Sequence, residues 1–416
     1  MADSIDWEKG YARRAERMRA SEIRELLKVL SEPGILSFAG GIPDPALFPT
    51  DAVGAAAAEI LAHPQLGGSS LQYSVSEGYA PLREWIAGHM GRLGVPCTID
   101  NIVITAGSQQ GLDFLGKLFV SAGDTVLVTS PTYLGALQAF SAYEPRYDVL
   151  TPEEPGRDAA GYRVAASAAA SRLALAYVVS DFANPTGETL SRAARERLLA
   201  LTTDLGIPLV EDAAYQAIRF EGDAIPPCLT LAVRAAGDIE RTRVIYCGTF
   251  SKTIAPGLRV GWLCAARPLI QKVVLAKQAA DLHSSTFNQM LMHRVATRIY
   301  DQQVARNVAH YAGRRDAMLA ALERHMPPDA SWTRPRGGMF VWVTLPPSLD
   351  GAALLARTLR EERIAFVPGH AFFADGAGRN TIRLNYSLLP PEDIDDGVRR
   401  LAGLIRRTLE EAGHAA

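Results

Sequence analysis

Apolar residues fall along the middle of this chain in short runs, each closed by a polar or glycine-bearing cluster and followed by a helical stretch. Ile102–Thr105 is mostly β-branched and leads through Ala-Gly-Ser into a helical pattern from Gln109 to Val120. Thr125–Thr129 ends at Ser130-Pro131, and Leu173–Val179 leads to Asn184-Pro185-Thr186-Gly187. Ile207–Val210 ends in Glu211-Asp212, and Val244–Cys247 runs into Gly248-Thr249-Phe250-Ser251-Lys252. Strands alternating with helices predict an α/β fold with a mainly parallel sheet. In such sheets ligands bind at the carboxyl ends of the strands, where the polar clusters lie.

The flanks follow another pattern. Residues 16–30 have helical period, with Ser21 placed to cap. Met339–Thr344 and Thr381–Asn385 read as strands, and Gly397–Glu411 as an amphipathic helix. The chain has 416 residues, and a single core stops growing at roughly 250–300. A large domain at 50–300 is therefore expected, with a small α+β domain built from 1–49 and 301–416. Residues 151–168, rich in Pro, Gly and Ala, are expected to form a surface connection. No internal repeat is visible.

Forty-three basic and 45 acidic residues leave a net charge of −2, without a basic tract, so neither nucleic acid nor an acidic membrane surface is expected as a partner. The four cysteines form no C-x-x-C pair and read as reduced thiols, with no metal site. The polar N-terminus and the lack of a run of ~18 apolar residues predict a cytoplasmic protein without a membrane span.

Candidate chemistry gathers at the strand ends. Lys252 follows an apolar strand between the hydroxyls Thr249 and Ser251 and the guanidinium of Arg259, all suited to a phosphate. A polar loop with a structural arginine is the plainer reading. Gly107-Ser108-Gln109 sits between strand and helix, where unpaired N–H groups and the helix dipole favour an anion. Asp212 is a helix cap or the partner of a ring nitrogen, with Tyr215 three residues on. Asn184 lies in a turn, and its amide can reach a phenolic oxygen. Tyr133 is a core tyrosine or a ring that stacks on a ligand. Arg383, alone among apolar neighbours, makes a structural ion pair or clamps a carboxylate. Gly111-x4-Gly116-Lys117 mimics a nucleotide loop, but Leu118 stands where a Mg²⁺-binding hydroxyl is needed and the stretch reads as helix. A lysine, an anion cradle, a carboxylate and hydrogen-bond donors are what pyridoxal phosphate requires of a protein.

Together these residues resemble the class I/II aminotransferases of pyridoxal-phosphate fold type I, from about Ser37 to Ser387. The resemblance implies a large domain with a seven-stranded-type sheet and makes Lys252 the Schiff-base lysine and proton shuttle. Asp212 becomes the partner of the ring nitrogen, and Asn184 and Tyr215 those of the phenolic oxygen. Ser108, Gln109, Thr249, Ser251 and Arg259 hold phosphate, and Arg383 takes the substrate α-carboxylate. Tyr73 reaches the phosphate of a neighbouring subunit, so a homodimer with shared sites is implied. Within the family, Ser21-Glu-Ile-Arg24-Glu, Ser37-Phe-Ala-Gly-Gly41-Ile-Pro, Leu71-Gln-Tyr73-Ser, Asp281-Leu-His and Arg336-Gly-Gly-Met-Phe340-Val-Trp are similar to the 2-aminoadipate/kynurenine (LysN-like) group. There Arg24 would meet a distal carboxylate, and Gly41 would leave room for substrate. Ser180, Ala183, Ala213 and Gly111 depart from that group's usual residues. The implied reaction is ping-pong transfer of an amino group from an L-amino acid to a 2-oxo acid, with 2-oxoglutarate as the expected acceptor. A lyase or decarboxylase on the same fold is the alternative. A sensor-type regulator is disfavoured by the few residues before Ser37.

Overall fold

The computed structural model describes residues 5–18 and 34–414; Arg24, with most of the helix expected at 16–30, lies outside the described residues. After the short strand β1 (Leu36–Ser37), seven strands form the central sheet: β2 (Ile102–Thr105), β3 (Thr125–Thr129), β4 (Arg146–Leu150), β5 (Leu173–Val179), β6 (Leu209–Asp212), β7 (Val244–Thr249) and β8 (Gly261–Cys264). Their order is β2-β8-β7-β6-β5-β3-β4. Only β8 runs against its neighbours.

Apart from the edge strand β4, the strands are largely apolar because both faces are covered. Alternate residues divide between two cores. Ile104, Leu127, Val178 and Leu209 join one, while Val103, Val126, Tyr177 and Val210 join the other. In the central sheet two strands, β4 and β8, are added to the expected set. β4 is a sheet edge whose Arg-Tyr-Asp-Val-Leu sequence carries too little apolar character to stand out. The expected connection at 151–168 contains a helix, Ala159–Ala168, capped by the Asp158 carboxylate, which accepts from Gly161 N–H. Alanine reads as loop by composition, yet it has the highest helix propensity.

A second, antiparallel sheet orders β12 (Val367–Pro368), β13 (Thr381–Asn385), β10 (Phe340–Thr344) and β9 (Ser331–Trp332), while β1 pairs with β11 (Ile364–Ala365). Ile382 and Leu384 of β13 enter a third core with Val341, Val343, Val398 and Leu401. Arg383, between them, must face the other way, and it lies opposite Trp342 in register. The 40-residue helix Thr286–His325 passes through position 300, so the two sheets share it as a support. The nucleotide-loop mimic lies inside the helix Ser108–Phe119.

Candidate active site

The carboxyl ends of β2, β3, β5, β6 and β7 deliver the predicted residues to one cleft, and β13 brings Arg383 to it from the second sheet. Lys252 is half-buried. Its Nζ donates to the carbonyl of Gly41 at 2.8 Å and stands 5.8 Å from the ring centre of Tyr215. Burial, then the positive charges of Arg383 and Arg259, bring its pKa down to about 8. Asn307 Nδ2 donates to the carbonyls of Lys252 and Thr253 at 3.3 and 3.0 Å, tying the lysine loop to the long helix.

Asp212 is buried at the end of β6, where it accepts from Tyr177 Oη at 2.9 Å and from Ala214 N–H at 3.3 Å. Burial pushes its carboxyl up to about 6, with the two hydrogen bonds opposing. The pKa of Tyr133, half-buried, is raised to about 12 and that of Tyr215 also rises, in both cases chiefly by burial.

Arg383 is 1% exposed. Nη1 donates to Asn184 Oδ1 and Nη2 to Ala39 O, both at 2.8 Å, and the guanidinium sits 4.3 Å over Phe340 and 5.1 Å over Phe372. None of these partners is a carboxylate, Nε is buried without a partner among the described residues, and burial brings its pKa down to about 10. A Cβ on Gly41 would come within 3.2 Å of Phe340 Cζ and 3.8 Å of Arg383 Nη2, so glycine there keeps the approach to the arginine clear.

The anion cradle is built by two loops pressed together. Gly107 has φ +80°, and a Cβ on it would lie 2.4 Å from Arg259 Nη2. One on Gly261 would lie 2.7 Å from Ser108 N. Arg259 Nη2 donates to Ala106 O at 3.2 Å, and Thr249 Oγ1 lies 2.8 Å from Ser251 Oγ. Ser108, Gln109 and Gln110 open their helix, so their N–H groups lack intrahelical partners. The Gln109 side chain donates to Gly135 O at 2.6 Å, leaving its backbone N–H as its offering to the cradle.

Tyr73 stands apart, 79% exposed, with its ring edge-on to His283 at 6.0 Å. Tyr177, Asn307 and Gln303, whose Nε2 donates to Asn307 Oδ1 at 2.9 Å, carried no signal in the sequence: the first is a strand residue among apolar neighbours, the others are helix residues. The same holds for a buried network behind Asp212. Arg195 pairs with Asp181 at 3.0 Å, Arg219 with Asp181 at 2.8 Å, and Glu211 accepts from Ser180 Oγ at 2.8 Å and Cys228 N–H at 2.7 Å. Cys97 and Cys264, far apart in sequence, meet with sulfurs 4.0 Å apart as free thiols.

The groups left unmatched are complementary to one kind of ligand. Three cations near an anion cradle and a buried carboxylate without a cation suit a molecule carrying a phosphate, a carboxylate and a protonated ring nitrogen. Pyridoxal phosphate with a bound amino acid has these features, and the residues fit it.

Comparison with known proteins agrees. Residues 37–401 match the Aminotransferase class I and II family. A 2-aminoadipate transaminase of Thermus thermophilus is 43% identical over 97% of this chain and 98% of its own length. Aromatic-amino-acid aminotransferase 1 of Thermococcus litoralis is 38% identical over 99% and 97%. The crystal structure of LysN, an α-aminoadipate aminotransferase from Thermus thermophilus complexed with N-(5′-phosphopyridoxyl)-L-leucine, superposes with a TM-score of 0.87 at 42% identity, covering 98% of this chain and all of that one. The chain belongs to the class I and II aminotransferases, and it is a pyridoxal-phosphate-dependent enzyme of fold type I that transfers amino groups.

Proposed function

We propose that this enzyme moves the amino group of an L-amino acid, 2-aminoadipate or an aromatic or branched-chain donor, to 2-oxoglutarate in a ping-pong cycle. The observation that carries the reading is Arg383, a buried guanidinium without a carboxylate partner, in one cleft with Lys252 and Asp212. The similarity to a 2-aminoadipate transaminase and an aromatic-amino-acid aminotransferase supports the choice of donors.

When bound, pyridoxal phosphate supplies an electrophilic carbon and an electron sink. Ser108, Gln109, Thr249, Ser251 and Arg259 hold its phosphate, Asp212 keeps its ring nitrogen protonated, and Asn184 and Tyr215 take its phenolic oxygen. Tyr133 covers the ring. Arg383 orients the substrate carboxylate beside Gly41, and the Lys252 amine takes the proton from the substrate Cα and returns it. A lysine with a pKa of about 8 holds both protonation states in useful amounts near neutral pH.

A homodimer fits the exposed apolar strip Leu71, Tyr73 and Val75, at 75%, 79% and 58%; monomers seldom display such patches without use. Tyr73 would then complete the partner's phosphate site. A division into a large domain at 50–300 and a small domain from both ends is part of the same proposal, and the presence of a separate antiparallel sheet supports it. No described helix is long and apolar enough to cross a membrane, and a cytoplasmic location is proposed.

The test follows the visible absorbance of the holoenzyme while single amino acids are added without an oxo acid. Glutamate, 2-aminoadipate or phenylalanine bleaches the band, and 2-oxoglutarate restores it. Product release without an acceptor would instead favour a lyase.

Asp212 gives a pH-dependent prediction. In the cofactor-free protein its carboxyl titrates at about 6 against an ordinary 3.8. A raised acid penalises the fold where it is ionised, so the cost is absent below about pH 4 and full above about 6. It amounts to at most about 3 kcal/mol. Asp212→Asn therefore raises the cofactor-free melting temperature by a few degrees at pH 8, and the gain shrinks as pH falls from 6 to 4. Transamination falls in the same variant. Melts across pH check both.

A further inference from the structure

Beneath the anion cradle lies a buried ammonium for which the reaction has no direct use. Lys277, in the last turn of the helix Arg267–Gln278, is 0% exposed. Its Nζ donates to both oxygens of Asp281 at 3.0 and 2.9 Å, to Ser284 Oγ at 2.9 Å and to Gln110 Oε1 at 3.1 Å. Burying a lysine is costly, and an apolar side chain serves a core as well, so packing alone gives no reason for the charge.

The reason lies one bond further on. Gln110 Oε1 also accepts the N–H of Ala106 at 2.8 Å, while Gln110 Nε2 donates to Asp281 Oδ2 at 2.8 Å. Lys277 on one end of the amide and Asp281 on the other allow only one orientation, with the oxygen toward Ala106. Turned over, the amide would point its N–H groups at two donors, Ala106 N–H and the Lys277 ammonium, and its oxygen at the Asp281 carboxylate. The Ala106 residue is thereby held from both sides, its N–H by Gln110 and its carbonyl by Arg259. It precedes Gly107 and Ser108, where the anion-facing N–H groups begin.

We propose that Lys277, with Asp281, is a positioning residue that locks Gln110 and so presets the Ala106–Ser108 turn for the cofactor phosphate. The inference rests on the assignment of that turn as the phosphate cradle.

The test compares two ligands that differ only in the phosphate. Cofactor-free full-length protein is titrated with pyridoxal phosphate and, separately, with pyridoxal, following visible absorbance. Lys277→Met weakens pyridoxal phosphate about tenfold to a hundredfold, the range of a lost hydrogen bond to a charged group, and leaves pyridoxal unchanged. Gln110→Met, which keeps the Lys277–Asp281 pair and carries the test if Lys277→Met fails to fold, shows the same selective loss. Parallel weakening of both ligands, or no change, overturns the proposal, since a general loss of packing would not distinguish them. Arg259→Ala separates the two levels. If it is selective against the phosphate and the other variants are not, the positioning role alone falls; if it is not selective, the cradle assignment falls and takes the inference with it.

Discussion

Lys252→Ala is expected to lose multiple turnover by about 10⁴-fold or more, the upper end of what a positioned acid–base group contributes. Among the described residues the hydrogen-bond partner of the amine is the Gly41 carbonyl at 2.8 Å, which is no base, and the nearby charges are the cations Arg383 and Arg259. Neither arginine can accept a proton near neutral pH, because each guanidinium is already protonated there. Lys252→Arg sharpens the argument. It restores the charge but not a titrating base, so it is as inactive as the alanine variant if proton transfer is the lysine's task. Oxo-acid product formed per subunit over several turnovers is the measurement. Turnover by either variant near the wild-type rate would remove Lys252 from the reaction.

Arg383→Ala is expected to lower kcat/KM for amino acids about 30- to 5,000-fold, equivalent to about 2–5 kcal/mol, the cost of truncating one partner of a buried charge pair. The guanidinium lies between Phe340 and Phe372 and away from bulk water, where a bidentate contact to a carboxylate is strongest. Arg383→Lys keeps a charge but loses the planar fork, so it recovers little. The discriminating measurement uses an amine with the same side chain and no carboxylate. Its slow reaction stays unchanged in the variant if Arg383 serves the carboxylate. It falls in parallel if Arg383 serves chiefly to hold Asn184 and Ala39.

Much of this site was legible because each chemical group follows a strand, and strands announce themselves by apolar runs. Asp212 closes β6, Thr249 closes β7, and Lys252 comes three residues later. Arg383 stood out because a charge between Ile382 and Leu384 breaks an alternating strand, and the register shows that the break turns it away from the third core. Residues that act through hydrogen bonds from ordinary surroundings were not legible. Tyr177 looks like any strand aromatic, Asn307 like any helix amide, and Lys277 like any lysine in an amphipathic helix. Their partners are distant in the chain: 35 residues separate Tyr177 from Asp212, and 167 separate Lys277 from Gln110.

The α/β class, the mainly parallel sheet and the set of groups that demand pyridoxal phosphate are written in the amino-acid order, because hydrophobic period and residue chemistry are local properties. That order also excludes the nucleotide loop, since helical period forbids that turn. Which groups stay unmatched depends on the folded chain. The missing carboxylate at Arg383, the missing cation at the buried acid Asp212 and the lock on Gln110 are relations between distant segments. Their energies arise from burial, which exists only once the chain has closed around them.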